Sequence, residues 1–202
     1  MFIMIDGIDG SGKSLQSEML IERLKQENYP VEIISFPQYG KKSAGLVEEY
    51  LTGVYGTAEV VGPHRASIFY AIDRFAAALE EGKIVVANRY VASNMGHQGG
   101  KITNDEERQK FFEWNDHLEY NIFAIPRPDL NIILHVTPEI SQELVKKKAE
   151  REYLAGGKTD IHETDINHLR NAGKTYLEIA RSFPNFALID CVENEQILPP
   201  ET

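Results

Sequence analysis

Residues 2–14 read Phe-Ile-Met-Ile-Asp-Gly-Ile-Asp-Gly-Ser-Gly-Lys-Ser, a short apolar run followed by a glycine-rich turn. From Gly7 onward the stretch fits the pattern G-x-x-x-x-G-K-S, and a helical pattern of apolar residues begins at Ser14. Strand, turn and helix in this order form a phosphate-binding loop, whose backbone N–H groups point at one anion. A plain glycine turn would not require Lys13 and Ser14. These two side chains are suited to the β- and γ-phosphates of a nucleotide and to Mg²⁺, respectively.

The composition is that of an acidic chain of moderate length. Its 202 residues correspond to a single domain over 1–202. A net charge of −10 argues against general nucleic-acid binding, in which neutralisation of phosphates supplies most of the affinity. Cys191 is the one cysteine, and no apolar run approaches the length of a membrane span. We therefore expect a cytoplasmic protein that binds neither nucleic acid nor membranes.

Five short apolar runs are typical of buried parallel strands, because each is nearly continuous in apolar character and is followed by a helical stretch. They cover residues 2–5, 31–36, 83–87, 129–136 and 185–190. The pattern predicts an α/β fold, namely a three-layer α/β/α sandwich with a five-stranded parallel sheet. A ligand is expected at the carboxyl ends of its strands.

Helices are predicted at residues 14–28, 64–81, 105–120, 138–150 and 163–183. Thr137 suits the N-cap of the fourth helix. Between the last two helices, Gly156, Gly157 and Lys158 indicate a mobile lid at about residues 150–160. The tail after Asp190 has little apolar content, so we expect it to be loosely held.

Two further motifs distinguish a kinase from a GTPase. The usual guanine-reading segment Asn-Lys-x-Asp does not occur; instead Asp73-Arg74 lies in a predicted helix and Asn88-Arg89-Tyr90 ends the third strand. With these motifs the chain resembles the thymidylate kinase family of P-loop nucleoside monophosphate kinases. The matching segments are 7–14, 36–37, 70–75, 88–94, 97–99, 126–130 and 160–163, in order over nearly the whole chain.

The resemblance implies a P-loop kinase fold and an ATP- and Mg²⁺-dependent conversion of dTMP to dTDP, usually by a homodimer. It places ATP at Gly7, Asp9, Gly10, Ser11, Gly12, Lys13, Ser14 and Leu15. It places dTMP at Asp9, Phe36, Tyr70, Arg74, Arg89, Asn94, His97, Gln98 and Glu163. The implied catalytic residues are Lys13, Asp9 and Arg89 with the lid cations Lys158 and Arg151, and the implied metal ligands are Ser14 and Asp9.

Tyr70 and Arg74 illustrate how these roles agree with the chemistry of the side chains. They are four residues apart in a predicted helix and therefore share a face. A ring that stacks beside a planar donor group suits a nucleobase, and the family uses this pair for thymine and its O4. The alternative is that Tyr70 belongs to the core and Arg74 pairs with Asp73 or a surface acid.

Charge placement supports the other roles. Arg89 follows a buried strand, where a cation is costly without an anionic partner, and a guanidinium suits the acceptor phosphate. Phe36 resembles the residue that packs on the deoxyribose. Asp9 resembles the carboxylate that contacts the 3′-hydroxyl, although it could merely brace the turn. Glu163 could likewise be a helix N-terminal acid favoured by the helix dipole.

Three positions depart from the family pattern. Asn88 stands where the family usually has Asp. We expect the loss of this carboxylate to affect the catalytic rate more than the fold. Leu15 replaces the usual Thr. Gln38 replaces an Arg found in many members, and Lys41 or Lys42 could take its place.

Two other functions stay open at this point. His97 and Gln38 in the pocket would also suit a kinase for another deoxynucleoside monophosphate or for a deoxynucleoside. Asn88 would also suit a nucleotide-binding homologue with impaired catalysis.

Overall fold

A five-stranded parallel sheet forms the centre of the protein in a computed structural model, which describes residues 1–77, 83–154 and 166–201, with side chains except at 147–154. The strands are β1 (Phe2–Asp6), β2 (Val31–Ser35), β3 (Ile84–Asn88), β4 (Leu130–His135) and β5 (Phe186–Asp190). They lie in the order β2-β3-β1-β4-β5, and every neighbouring pair is parallel. The prediction of a parallel five-stranded sheet is confirmed.

The described part of the chain contains seven α-helices, which lie around the sheet. They are α1 (Lys13–Gln26), α2 (Gly45–Leu51), α3 (Ala58–Phe75), α4 (Val91–Ser93), α5 (Asp105–Asp116), α6 (Pro138–Leu154) and α7 (Ile166–Ser182). Two π-helical stretches follow helices directly, Asn94–Gln98 after α4 and His117–Ile122 after α5. These two stretches supply several of the side chains of the site.

Successive residues of β1 point to opposite faces of the sheet, and helices cover both faces. Ile5 packs with Ile21 of α1 on one face. Met4 packs on the other face in a cluster that contains Phe111 of α5 and Leu169 of α7. Apolar side chains on both faces explain why the strands read as continuous apolar runs. The three-layer α/β/α prediction is confirmed.

The helix prediction for 64–81 needs correction, and two short helices were not predicted. Helix α3 starts earlier, at Ala58, kinks at Gly62 where φ is 74°, and already ends at Phe75. Helices α2 and α4 had no clear sequence pattern, since they span only seven and three residues. Short helices gain little from their own propensity, and tertiary packing decides whether they form.

The predicted lid at 150–160 is only partly covered by the structure. Helix α6 continues to Leu154, beyond the predicted end at residue 150, and Thr137 accepts a hydrogen bond from the Ile140 backbone N–H at 3.4 Å as the expected N-cap. Residues 155–165, with Lys158 and Glu163, lie outside the described residues, as does the side chain of Arg151.

The segment after β5 is held in place, so the prediction of a loose tail was wrong. Strands β6 (Val192–Glu193) and β7 (Gln196–Ile197) form an antiparallel hairpin. The Leu198 N–H donates to the Cys191 carbonyl oxygen at 2.8 Å, and Gln16 Nε2 of α1 donates to the Pro200 carbonyl oxygen at 2.8 Å. Backbone hydrogen bonds fix this segment, and apolar content is a poor guide to such contacts.

A search of the helices in the described ranges finds none with the length and apolar character needed to cross a membrane.

Candidate active site

A cavity of about 1180 Å³ opens at the carboxyl edge of the sheet, where the topology predicts a ligand. The ends of β2, β3 and β5 line it, together with the phosphate loop, α3 and the first π-helical stretch. Most of the predicted site residues that the structure describes line it: Asp9, Gly10, Ser11, Gly12, Lys13, Ser14, Leu15, Phe36, Tyr70, Arg74, Arg89, Asn94, His97 and Gln98. The sequence therefore identified one contiguous surface.

The phosphate loop owes its shape to its glycines. Gly7 has a φ of +144°, and a Cβ there would lie 2.4 Å from the Leu134 carbonyl oxygen. Gly10 has a φ of +79°, and a Cβ there would lie 2.7 Å from the Ser141 carbonyl oxygen. Both positions therefore exclude a side chain by conformation and by space.

Lys13 bends back over this loop. Its Nζ donates to the carbonyl oxygens of Gly7 at 3.0 Å and Ile8 at 2.8 Å. The ammonium group is therefore held at the centre of the loop, next to the N-terminus of α1. A loop of N–H groups, a helix N-terminus and a buried cation together favour a polyphosphate.

Arg89 and Asp9 form an ion pair in the middle of the cavity. Arg89 has a left-handed φ of 67°, an uncommon conformation for a residue with a side chain, which is often found at functional sites. Burial disfavours both charges, yet Arg89 holds the pKa of the Asp9 carboxyl well below its usual range. Burial likewise opposes the charge on Arg89, but Asp9 and Asp6 keep its pKa above the usual value. Both groups are charged near neutral pH.

Asp6 is a buried carboxylate that the sequence analysis did not single out. It accepts hydrogen bonds from the Gly7 backbone N–H at 2.9 Å, Ser93 Oγ at 2.7 Å and Tyr176 Oη at 2.8 Å. An Asp6 oxygen also lies 3.9 Å from Arg89 Nη1. Asp6 thus links the phosphate loop to the arginine. Its position at the end of β1, directly before the glycine turn, was the signal that could have identified it.

His97 contacts Arg89 at Nη1, whereas Asp9 pairs with Nη2. Arg89 Nη1 contacts His97 Nε2 at 3.0 Å, and His97 Nδ1 contacts His168 Nε2 at 3.1 Å. Burial lowers the pKa of His97 well below its usual value, and the charge of Arg89 acts in the same direction. His168 comes from the first turn of α7 and also lines the cavity. The sequence analysis did not predict a role for it.

Arg74 is paired with Glu119, which lies in the π-helical stretch after α5. Arg74 Nε and Nη2 donate to the two Glu119 oxygens at 2.6 and 2.5 Å, and the two residues are 3% and 0% exposed. Asn94 Nδ2 donates to the same carboxylate at 3.2 Å. The alternative pairing with Asp73 does not occur, because Asp73 accepts from the Gln38 N–H at 2.8 Å and Ser43 Oγ at 2.6 Å. No sequence motif marked Glu119.

Aromatic rings and amides form the far end of the cavity. Phe36 is buried with its ring 5.6 Å from that of Tyr90, and Tyr70 meets Tyr50 edge to face at 6.4 Å. Lys101 Nζ donates to Gln98 Oε1 at 2.9 Å, and burial lowers the pKa of this lysine to about 8. This end combines a stacking surface with polar groups, as a nucleobase requires.

The residues that depart from the family pattern make specific contacts. Asn88 Nδ2 donates to Ser14 Oγ at 3.1 Å, which ties the end of β3 to the phosphate loop. Lys41 Nζ donates to Gln38 Oε1 at 2.6 Å, so a cation stands beside the glutamine as the sequence analysis suggested. Leu15 is 46% exposed at the rim of the cavity.

Comparison with known proteins agrees with this geometry. The family model for thymidylate kinase matches residues 5–198. The chain is 28% identical over 189 residues to the thymidylate kinase of Mycobacterium tuberculosis, covering 89% of this chain and 86% of that one. It is 26% identical over 203 residues to the thymidylate kinase of an Exiguobacterium species, covering 96% and 91%. A solved thymidylate kinase from Candida albicans shares the fold, with a TM-score of 0.68 at 24% identity and coverage of 94% and 82%.

Proposed function

The chain belongs to the thymidylate kinase family and phosphorylates dTMP, and we propose that ATP donates the phosphoryl group within the cavity described above. The reaction is ATP + dTMP → ADP + dTDP. The observation that supports it best is the arrangement of charges, because Lys13 in the phosphate loop and Arg89 line one cavity. Two phosphate-binding cations, one on each side of a transferring group, are what phosphoryl transfer needs.

In the acceptor half of the site, Arg89 binds the dTMP phosphate. The Asp9 carboxylate is paired with this guanidinium. An incoming phosphate can share that guanidinium, while Asp9 turns to the sugar 3′-hydroxyl. Phe36 packs against the deoxyribose, and Tyr70 stacks on thymine. Arg74 donates to Glu119 and, through Nη1, to the Tyr90 carbonyl oxygen at 3.4 Å, and an N–H group that these contacts leave is directed to the O4 of the base.

In the donor half, the loop 7–14 and Lys13 hold the phosphates of ATP. For this, Lys13 exchanges its two carbonyl contacts in the loop for phosphate oxygens. The adenine ring lies toward the end of β5 and the tail, where Cys191, Leu198 and Pro199 line the same cavity. Lys158 and Arg151 supply a further cation to the transferring group, in keeping with the absence of one at positions 9–11.

The chain's own residues fit a magnesium ion bound with ATP. Ser14 Oγ and the Asp9 carboxylate are the proposed ligands, directly or through water. Asn88, which contacts Ser14, has a buried Oδ1 with no hydrogen-bond partner among the described residues. Oxygen donors of this kind suit Mg²⁺, which would neutralise charge on the β- and γ-phosphates.

We further propose that the protein acts as a homodimer in the cytoplasm. Helix α3 carries an apolar stripe with Ile68 and Phe75 exposed to 37% and 60%, and Phe75 packs against Phe123, whose chain neighbour Ile122 is 62% exposed. A second copy that covers this stripe would remove these side chains from water. Light scattering should give twice the chain mass, and Phe75→Asp should give the monomer mass.

An ADP-release assay with ATP and Mg²⁺ tests the proposed reaction directly. We expect turnover with dTMP and much lower kcat/KM with dCMP, because cytosine places an amine where Arg74 needs an acceptor. A panel with dUMP, dGMP and thymidine separates the alternative substrates. ADP release that does not depend on dTMP, or no release at all, would contradict the proposal.

A further inference from the structure

His97 and His168 form a chain of ring nitrogens that ends on Arg89. The two rings are stacked, with centroids 5.4 Å apart and planes inclined by 18°. Tyr176 meets the edge of His97 at 5.7 Å, and Tyr176 also donates its hydroxyl to Asp6. The chain of rings therefore reaches Arg89 at Nη1, whereas the Asp9 carboxylate pairs with Nη2.

The direction of the hydrogen bonds in this chain follows from the arginine. A guanidinium can only donate, so His97 Nε2 must accept from Arg89 Nη1. A neutral His97 then carries its proton on Nδ1, and Nδ1 donates to His168 Nε2. His168 in turn must carry its own proton on Nδ1. The low pKa of His97 is consistent with this neutral form.

The charged and titratable groups around His97 favour the same state. The positive charges of Arg89 and the nearby Lys13 both disfavour a protonated, positively charged His97. Asp9 favours that charge, but Asp9 is already paired with Arg89. His97 Nε2 therefore stays an unprotonated acceptor only if the proton on His97 Nδ1 has a hydrogen-bond acceptor of its own. His168 Nε2 is that acceptor in the described part of the chain.

We infer that His168 is a positioning residue: by fixing the Nδ1–H tautomer of His97, it holds the Arg89 guanidinium in place for the acceptor phosphate. Asp9 and the phosphate compete for one edge of the guanidinium. His97 accepts from Nη1 before and after the phosphate binds, so Arg89 keeps its orientation when the phosphate replaces Asp9. The inference deepens the proposed function, on which it rests for the identity of the phosphate ligand.

The tautomer can be measured in the ligand-free protein. Long-range ¹H–¹⁵N spectra of the histidine-labelled chain should show His97 protonated at Nδ1, the less common form of free imidazole. His168→Leu should shift His97 toward the Nε2–H form. His168→Gln, whose side-chain oxygen can accept at the position of Nε2, should retain the Nδ1–H form. A parent protein with His97 protonated at Nε2 would overturn the inference, whatever the variants do.

Affinities and kinetics give the second measurement. His168→Leu should weaken dTMP binding and lower kcat/KM for dTMP by about three- to tenfold, the size of one hydrogen bond, with KM for ATP unchanged. His168→Gln should recover most of that loss. In a His97→Asn background, where the link to Arg89 is already broken, His168→Leu should add no further loss.

The outcomes separate this inference from the proposed function. Equal losses in the Leu and Gln variants, or additive losses with His97→Asn, would show that His168 does not act through His97. The parent protein could show the Nδ1–H tautomer and yet not turn over dTMP. That result would contradict the proposed reaction and, with it, the inferred role of His168 in binding the dTMP phosphate, but not the hydrogen-bond arrangement of the two histidines. Melting temperatures of all variants identify any that lose the fold.

Discussion

The donor and acceptor halves of the cavity are built in different ways. The phosphate-binding part of the proposed donor half is one stretch of eight residues, 7–14, which would bind mainly through its backbone conformation and N–H groups. The acceptor half brings together side chains from β3, α3, α7 and two π-helical stretches, including Arg89, Arg74, Glu119 and His168. A backbone site tolerates few changes of its glycines, whereas a side-chain site depends on partners far away in sequence.

The two halves also differ in their electrostatics. The loop presents partial charges of N–H groups together with one lysine, so it is ready for any polyphosphate. The acceptor half contains full charges in buried pairs, which are costly to desolvate and stabilise the fold little. What such pairs provide is orientation, and orientation distinguishes one nucleoside monophosphate from another.

The largest expected effect comes from breaking the Arg74–Glu119 pair on one side only. Glu119→Leu leaves a buried guanidinium without its bidentate partner, so the free energy of unfolding should fall by about 3–5 kcal/mol. The double variant Arg74→Met/Glu119→Leu removes both charges and should be clearly more stable than the single variant. Urea unfolding measures both. Equal stability of the single and double variants would refute the account of a costly buried pair.

Arg89→Ala should affect the binding of dTMP in the acceptor half but not the binding of ATP in the donor half. Removing one side of a buried charge pair should weaken dTMP binding by about 2–5 kcal/mol, while ATP binding changes little. Titration calorimetry with each nucleotide measures this. Arg127→Ala is the matched control, because Arg127 pairs with Asp116 through two 2.7 Å contacts on the outside of the protein. Equal loss of ATP and dTMP affinity would contradict a role confined to the acceptor.

Gly7→Ala tests whether backbone geometry governs the donor half. The added Cβ would lie 2.4 Å from the Leu134 carbonyl oxygen in a left-handed backbone, so we expect a loss of about 2–3 kcal/mol in unfolding free energy. Gly12→Ala has a positive φ of +88° as well, but no atom of the described residues lies within 4 Å of its Cβ, and it should lose only about 1 kcal/mol. Similar losses for the two variants would mean that conformation alone, without the close approach, sets the cost.

The smallest effect concerns Asn88, where the two halves meet through Ser14. Asn88→Asp adds a carboxylate beside the proposed magnesium site, so kcat should rise up to about tenfold, or roughly 1.4 kcal/mol. The apparent Mg²⁺ requirement should tighten, and dTMP affinity should stay nearly unchanged. Steady-state kinetics across Mg²⁺ concentrations measure all three quantities. Unchanged kcat and metal dependence would leave Asn88 without a special role.

The sequence predicted the phosphate loop and several side chains that line the cavity with it, while the binding roles of these residues stay predictions. The loop 7–14 is contiguous, so its pattern alone indicated it, and Arg89 and Arg74, which line the same cavity, followed from the motifs around them. The partners Asp6, Glu119 and His168 were missed. The roles of Lys158, Arg151 and Glu163 stay predictions, since they fall on residues or side chains outside those that the structure describes.

The sequence by itself determined the five strands of the parallel sheet, the long helices between them, the phosphate loop and the edge of the sheet at which the cavity opens. These properties follow from local patterns, because apolar periodicity and glycine conformations act within a few residues. Only the tertiary structure decided which carboxylate pairs with Arg74 and which imidazole contacts His97 next to Arg89. Glu119 lies 45 positions from Arg74, and His168 lies 71 positions from His97. Contacts at such separations depend on how helices pack across the sheet, and no local pattern in a single sequence encodes them.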